Sequence, residues 1–291
     1  MKIFTIENDC LSVQVSDFGA ELHSIFNKKN NTEHLWQADK NFWGWHAPVL
    51  FPVVGRCWED EIAIDQKKYA MEKHGFTRKS TFDMIGKTED SISFELSDNE
   101  ATAAIYPFQF SFQIHYVLKE NELTTTYKVV NKSDQSLYFS LGAHPAFAVP
   151  FFANEKYEDY FISFEKDTSL DRHFINDEGF FTGETKNVMH GTNELPLFST
   201  MFNNDAYIFK ELQSRKVVLQ SKNHENKVEV SFPDFNYLGL WAKVNAPYVC
   251  IEPWLGCADT ENVAPTFDQK EGILQVEKNN FFETTLCIGI F

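Results

Sequence analysis

What this chain has little of narrows it first. Only four of its 26 basic residues are arginines (Arg56, Arg78, Arg172 and Arg215), and 42 acidic residues leave a net charge of −16. Such a surface repels nucleic acid and anionic membranes, so neither is expected as a partner. The five cysteines, Cys10, Cys57, Cys250, Cys257 and Cys287, are odd in number, scattered and never spaced as CxxC. That argues against a disulfide framework or a zinc ribbon. The longest apolar run, around APVLFPVV, is far too short to span a bilayer, and the opening MKIFTIENDC lacks the apolar core of a secretory leader. A reducing cytoplasm is the expected compartment. P-loop, G-x-G-x-x-G, H-E-x-x-H and G-x-S-x-G signatures are missing. The nine histidines show no ligand spacing, so neither a metal nor another cofactor is expected.

Helical periodicity is scarce as well: only DNEATAA, at 98–104, reads as a turn of helix. Period-two alternation takes its place. In QFSFQIHYVL, Phe110, Phe112, Ile114, Tyr116 and Leu118 share one face; Leu123, Thr125, Tyr127 and Val129 repeat the pattern in ELTTTYKVV. SISFEL (91–96) and KVEVSF (227–232) do so again, and short polar turns at 119–121, 131–135 and 222–226 separate the runs. This is the pattern of half-buried antiparallel strands joined by hairpins. With 29 phenylalanines to fill the interior and no linker or charge block to mark a boundary, the chain reads as one all-β domain over 1–291. The expected form is a large antiparallel β-sandwich with one concave, exposed face.

Four stretches hold polar residues in rigid frames. PVLFPVVGRCW breaks an apolar strand just before Arg56, which is either an exposed turn residue or a guanidinium fork aimed at hydroxyls or a phosphate. EKHGFTRKSTF sets His74 and Arg78 around a Gly-Phe turn, either solvated or at the rim of a sugar site. SLGAHPAF places His144 before a proline, where extended geometry fixes the ring direction and Gly142 and Ala143 leave space. YVCIEPWLGCADT ends an apolar strand on Glu252, again before a proline, with Trp254 following as a platform of the kind that stacks on a sugar ring. Burying a carboxylate there costs free energy unless it is paired. A His-Pro and a Glu-Pro, each ending a strand, supply a group near neutral pKa and a carboxylate, the ingredients of acid/base catalysis without a cofactor. Burial raises the one pKa and lowers the other.

At these residues the sequence resembles the aldose 1-epimerase (galactose mutarotase-like) family, most closely its LacX-like bacterial branch. FGAELHSI (18–25), FPVVGR (51–56), HGFTR (74–78), GAHPAF (142–147), NDAYIFK (204–210) and CIEPWLG (250–256) carry the resemblance over nearly the whole chain. It implies a large antiparallel sandwich that interconverts the α and β anomers of a free aldose. His144 would be the general acid, Glu252 the general base, and Arg56, His74 and Asp205 substrate-binding residues, with Arg78 at a position some relatives keep. The two catalytic groups are expected to face each other across a gap one pyranose wide. HGFTR is shorter than the corresponding glycine-rich segment of galactose mutarotases proper, so galactose specificity does not carry over. A branch of the fold acts on hexose 6-phosphates through clustered basic residues, and Arg56, Arg78 and Lys79 are the candidates here. The expected partner is a hexose or hexose phosphate, with the chain a monomer or homodimer. The alternatives are a hexose-6-phosphate 1-epimerase and a non-catalytic carbohydrate-binding protein on the same fold. A hydrolase would need two carboxylates flanking the scissile bond, with Asp205 and Glu252 as the available pair.

Overall fold

The alternating runs at 110–131 form a hairpin. Phe110–Lys119 pairs antiparallel with Glu122–Asn131, Ile114 opposite Tyr127 and Phe112 opposite Val129. Because side chains alternate across a strand, this register buries Phe110, Phe112, Ile114, Tyr116, Leu118, Leu123, Tyr127 and Val129 on one face. The computed structural model describes residues 1–291. In it this hairpin sits inside a nine-stranded sheet ordered 194–196, 160–164, 216–221, 227–231, 281–290, 122–131, 110–119, 91–97 and 83–87. The turns at 120–121 and 222–226 fall where the polar runs place them. The single α-helix is Glu100–Ala103, started by Asn99, whose side chain accepts from the Ala101 and Thr102 amides while the Thr102 hydroxyl accepts from the Asn99 amide.

A second, eight-stranded sheet runs in the order 181–190, 169–175, 207–209, 237–241, 248–255, 141–143 and 49–50, with 146–148 also paired to 248–255. The two sheets stack, and the phenylalanines do much of the joining. Phe51, just past the 49–50 strand, stacks on Phe112 of the nine-stranded sheet with centroids 4.6 Å apart. Phe209 meets Phe164 edge-on at 5.8 Å. One hydrophobic cluster of 70 buried residues runs through both sheets and the four-stranded N-terminal sheet of residues 3–33. The all-β sandwich expected from the alternation is the fold observed.

His34 is an exception in this apolar interior. It is fully buried, its ring lies edge-on to Phe151, and neither ring nitrogen has a hydrogen-bond partner. Burial pushes its pKa down to about 4. The unfolded chain takes up this proton near pH 6.5 and the folded chain only near 4, so stability falls as pH drops through that window. At about 1.4 kcal/mol per pKa unit, His34→Leu should lose roughly 2–3 kcal/mol less than wild type between pH 7 and pH 4.5 in urea unfolding. Equal losses in the two proteins would remove His34 as the cause.

Candidate active site

The site begins with an interruption in backbone pairing. The continuous strand Tyr248–Leu255 pairs with Leu141–Ala143 at one end and Ala146–Ala148 at the other. Between them the partner strand is broken at His144 and Pro145, where the one ladder bond kept runs from the Ile251 amide to the Pro145 carbonyl, 3.1 Å. Residue 253 faces the same side as Ile251 because backbone direction repeats every second residue. That residue is proline and lies opposite Ala143 at the edge of the break, so it has no amide to leave unpaired there. The other edge is intact, with Gly239 opposite Glu252 and Leu238 opposite Pro253. Across the break the two titratable side chains meet: His144 Nε2 lies 3.1 Å from Glu252 Oε2. The ring-wide gap expected from the sequence is not there, because the two residues are cross-strand neighbours.

Glu252 is 2% exposed and His144 8%. Burial pushes the Glu252 carboxyl well above the usual carboxylate range, partly opposed by the Lys73 ammonium. Burial pushes His144 down to about 3, and the Lys73 and Arg78 charges add to this. The pair is therefore most stable as a neutral unit holding one proton. His144 is also clamped by rings, with Trp43 stacked on it at 4.9 Å and Trp241 and His74 edge-on at 6.0 and 5.9 Å.

These residues line a cleft of about 290 Å³ on the open face of the eight-stranded sheet. Ile208 faces the cleft, while the next residue, Phe209, packs inward on the other sheet. The volume sits at the small end of the ~300–1,000 Å³ usual for ligand sites, the scale of one sugar ring. His74, Arg78, Asp205 and Trp254 all line it with His144 and Glu252. The Gly55 amide donates to His74 Nδ1 at 3.1 Å, which leaves the ring proton on Nε2. Burial holds His74 well below its ordinary pKa, so it is a neutral hydrogen-bond donor. Arg78 donates to the Lys73 carbonyl at 2.8 Å, lies over the Trp45 ring at 5.6 Å, and keeps a buried Nε without a partner. Asp205, at φ 65°, caps the next amide with one carboxylate oxygen, 2.7 Å from Ala206 N. Its turn is held from behind by Arg172, sandwiched between Phe174 and Tyr207, whose guanidinium bonds the carbonyls of Asn204, Asp205 and Ala206.

Two expectations need correction. Arg56 does not reach the cleft. Asp60, four residues on, takes its guanidinium in two 2.6 Å bonds, and the Phe180 ring and the Glu178 carbonyl hold the outer side. The space beside Gly142 is not left for a ligand either: the Trp254 indole fills it, wedged between Gly142 and Gly239, and is only 6% exposed. The broad aromatic walls belong to Trp43 and Trp241, which sequence reasoning missed together with Lys73 and Arg172. For Lys73 the signal was its place beside His74; Trp241 ends the alternating run YLGLW. The tryptophans show their role only through the fold.

A stacked antiparallel sandwich with a small, polar, aromatic-walled cleft on one open face is the architecture of the galactose mutarotase-like proteins. It matches a galactose mutarotase related enzyme from Lactobacillus acidophilus with TM-score 0.95, at 34% identity over 100% of this chain and 97% of that one. A galactose mutarotase-like protein from Lactobacillus casei superposes with TM-score 0.94, at 30% identity over all of both chains. The family model for aldose 1-epimerase matches residues 2–266, and the chain belongs to that family. The plasmid-encoded LacX protein of Lactococcus lactis is 30% identical over 280 residues, 93% of each chain.

The Trp254 wedge yields a test. A Cβ on Gly239 would stand 2.6 Å from the indole, and the overpacking typically costs about 1–3 kcal/mol. Gly239→Ala should lower the urea midpoint by a corresponding amount; an unchanged midpoint would show that the indole is free to move.

Proposed function

We propose that this protein is an aldose 1-epimerase acting on a single hexose, with Glu252 as general base and His144 as general acid. The observation that carries this reading is the 3.1 Å contact between them at the floor of a cleft sized for one ring. The anomeric hydroxyl oxygen and the ring oxygen are bonded to the same carbon, so an acid and a base in direct contact reach both at once.

The proton count fits. Ring opening starts from Glu252 carboxylate and His144 imidazolium: Glu252 takes the O1 proton, His144 gives one to O5, and the C1–O5 bond breaks to leave the aldehyde. The dyad then holds Glu252 as the acid and His144 neutral, with its total unchanged at one proton. That neutral form is the one burial favours. It is poised for closure, and opening begins when the proton crosses to His144. Rotation about C1–C2 offers the other carbonyl face, and reversal gives the other anomer. His74 as a neutral donor, Asp205 as an acceptor and Arg78 hold the ring hydroxyls.

Polarimetry on freshly dissolved α-glucose and α-galactose tests the reading. Wild type should speed equilibration, while His144→Ala and Glu252→Gln should each lose about 10²–10⁴-fold in kcat. No acceleration of any aldose would sink the assignment. Arg78→Ala should weaken substrate binding about tenfold or more, since bonds from a charged donor are worth roughly 1.5–3 kcal/mol, while Arg56→Ala should change KM less than about twofold.

The pH profile carries its own sign. With His144 held down to about 3, the dyad does not gain a second proton between pH 7 and pH 5. After subtraction of the uncatalysed rate, kcat/KM should stay flat over that range. An acid limb near pH 6.5 would mean that the imidazole titrates as it does in water.

Lys73 and Arg78 favour a second reading. Both border the cleft, and neither is paired with a carboxylate. A hexose 6-phosphate could place its dianion against them, and a lower KM for the 6-phosphates than for the free sugars would select that reading.

A further inference from the structure

A second cluster of ligating side chains lies outside the cleft. Glu21 is 4% exposed, and no lysine or arginine pairs with it. Its Oε1 accepts from the backbone amides of His46 and Ala47 at 2.8 and 3.0 Å. These two bonds fix the carboxylate plane and turn Oε2 outward, where His23 Nε2 stands 3.2 Å away. His46 stacks on His23 with ring centroids 4.0 Å apart. One ligand atom from each of the three residues lies within 4.8 Å of the others. Sequence spacing hid this group, because Glu21 precedes and His23 sits on the 22–27 strand of the N-terminal sheet, while His46 arrives from the loop before the 49–50 strand.

We propose that Glu21, His23 and His46 bind one divalent ion of the Zn²⁺ type, which fastens the Trp43–Ala47 segment to the N-terminal sheet. The chemistry of the set fits: two imidazoles and a carboxylate with an open position are a common zinc donor set. The 3.2 Å bite between His23 Nε2 and Glu21 Oε2 subtends about 100° at an ion with bonds of about 2.0–2.2 Å, close to tetrahedral. The stacked arrangement leaves His46 to close the site by turning its partly exposed ring. The carboxylate is already oriented by main-chain donors, as the supporting shell of a metal site requires.

The site bears on the cleft without being part of it. The fastened segment carries Trp43, stacked on His144, and Trp45, under Arg78. The His46 carbonyl also accepts from the Ala146 amide, two residues past His144, at 3.0 Å. An ion at Glu21 would hold one end of this aromatic wall.

The test uses the full chain, stripped by chelator and returned to metal-free buffer. Calorimetry with Zn²⁺ should find one ion per chain, Zn²⁺ should raise Tm, and Co²⁺ should give the visible bands of a four- or five-coordinate site. His23→Gln and His46→Gln should each weaken Zn²⁺ binding at least about tenfold and remove the Tm rise. His224→Gln, at a half-buried His–carboxylate pair far from this cluster in sequence (3.0 Å from Glu155), should change neither. The unmutated chain with and without Zn²⁺ reads the site even where a variant folds poorly. Absence of a Tm shift in wild type would overturn the proposal. So would binding lost in Glu252→Gln or His224→Gln but kept in the His23 and His46 variants.

Discussion

The break in strand pairing opposite Ile251 and Glu252 is the constraint on which the site depends. The register is the same on both sides of the break, so His144 stays directly opposite Glu252 while its own backbone is released from the ladder. Pro145 lies in the break and Pro253 faces Ala143 at its edge, and neither has an amide to leave unpaired. The two prolines thus make an interruption in the middle of a sheet inexpensive. The gap is occupied by side-chain chemistry, a 3.1 Å contact between an imidazole and a carboxyl. Burying that pair costs free energy that a neutral, one-proton form keeps low. The same constraint that permits the site therefore sets its protonation.

Most of the fold was legible from alternation alone, for a physical reason. A sandwich strand buries one face, so the period-two pattern at 91–96, 110–129 and 227–232 is a direct print of packing. The polar turn at 222–226 falls between the strands ending at Ser221 and beginning at Lys227. The site was legible in part. Residues in Pro- or Gly-bounded frames were visible, and His74, Arg78, His144, Asp205, Glu252 and Trp254 do share one cleft. Direction was not visible. Arg56 looked free in PVLFPVVGRCW, but Asp60 takes it through a turn whose residues 59 and 60 both have positive φ, a local conformation that alternation does not encode. Trp254 was correctly placed at the cleft and wrongly freed, because the two glycines that admit its indole come from different strands. Trp43 carried no local signal, and the place of Trp241 at the end of YLGLW did not tell which way it faces.

Net charge is a weak guide to such a site. A chain at −16 offers no long-range attraction to an anion, yet the cleft wall carries Lys73 and Arg78 without carboxylate partners. Exposed charges are screened within about 8–10 Å at ordinary ionic strength, whereas charges at the edge of a buried pair are not. The two cations lie close enough to disfavour imidazolium at His144, and Lys73 favours the Glu252 carboxylate. Their local effect is to make the Glu252 carboxylate easier to form but a weaker base, and a His144 imidazolium a stronger acid. A bound anionic group, by neutralising the two cations, would raise the proton affinity of both His144 and Glu252. The charge of a bound ligand and the protonation of His144 and Glu252 are thus coupled through Lys73 and Arg78, and the overall balance of the chain plays little part in either.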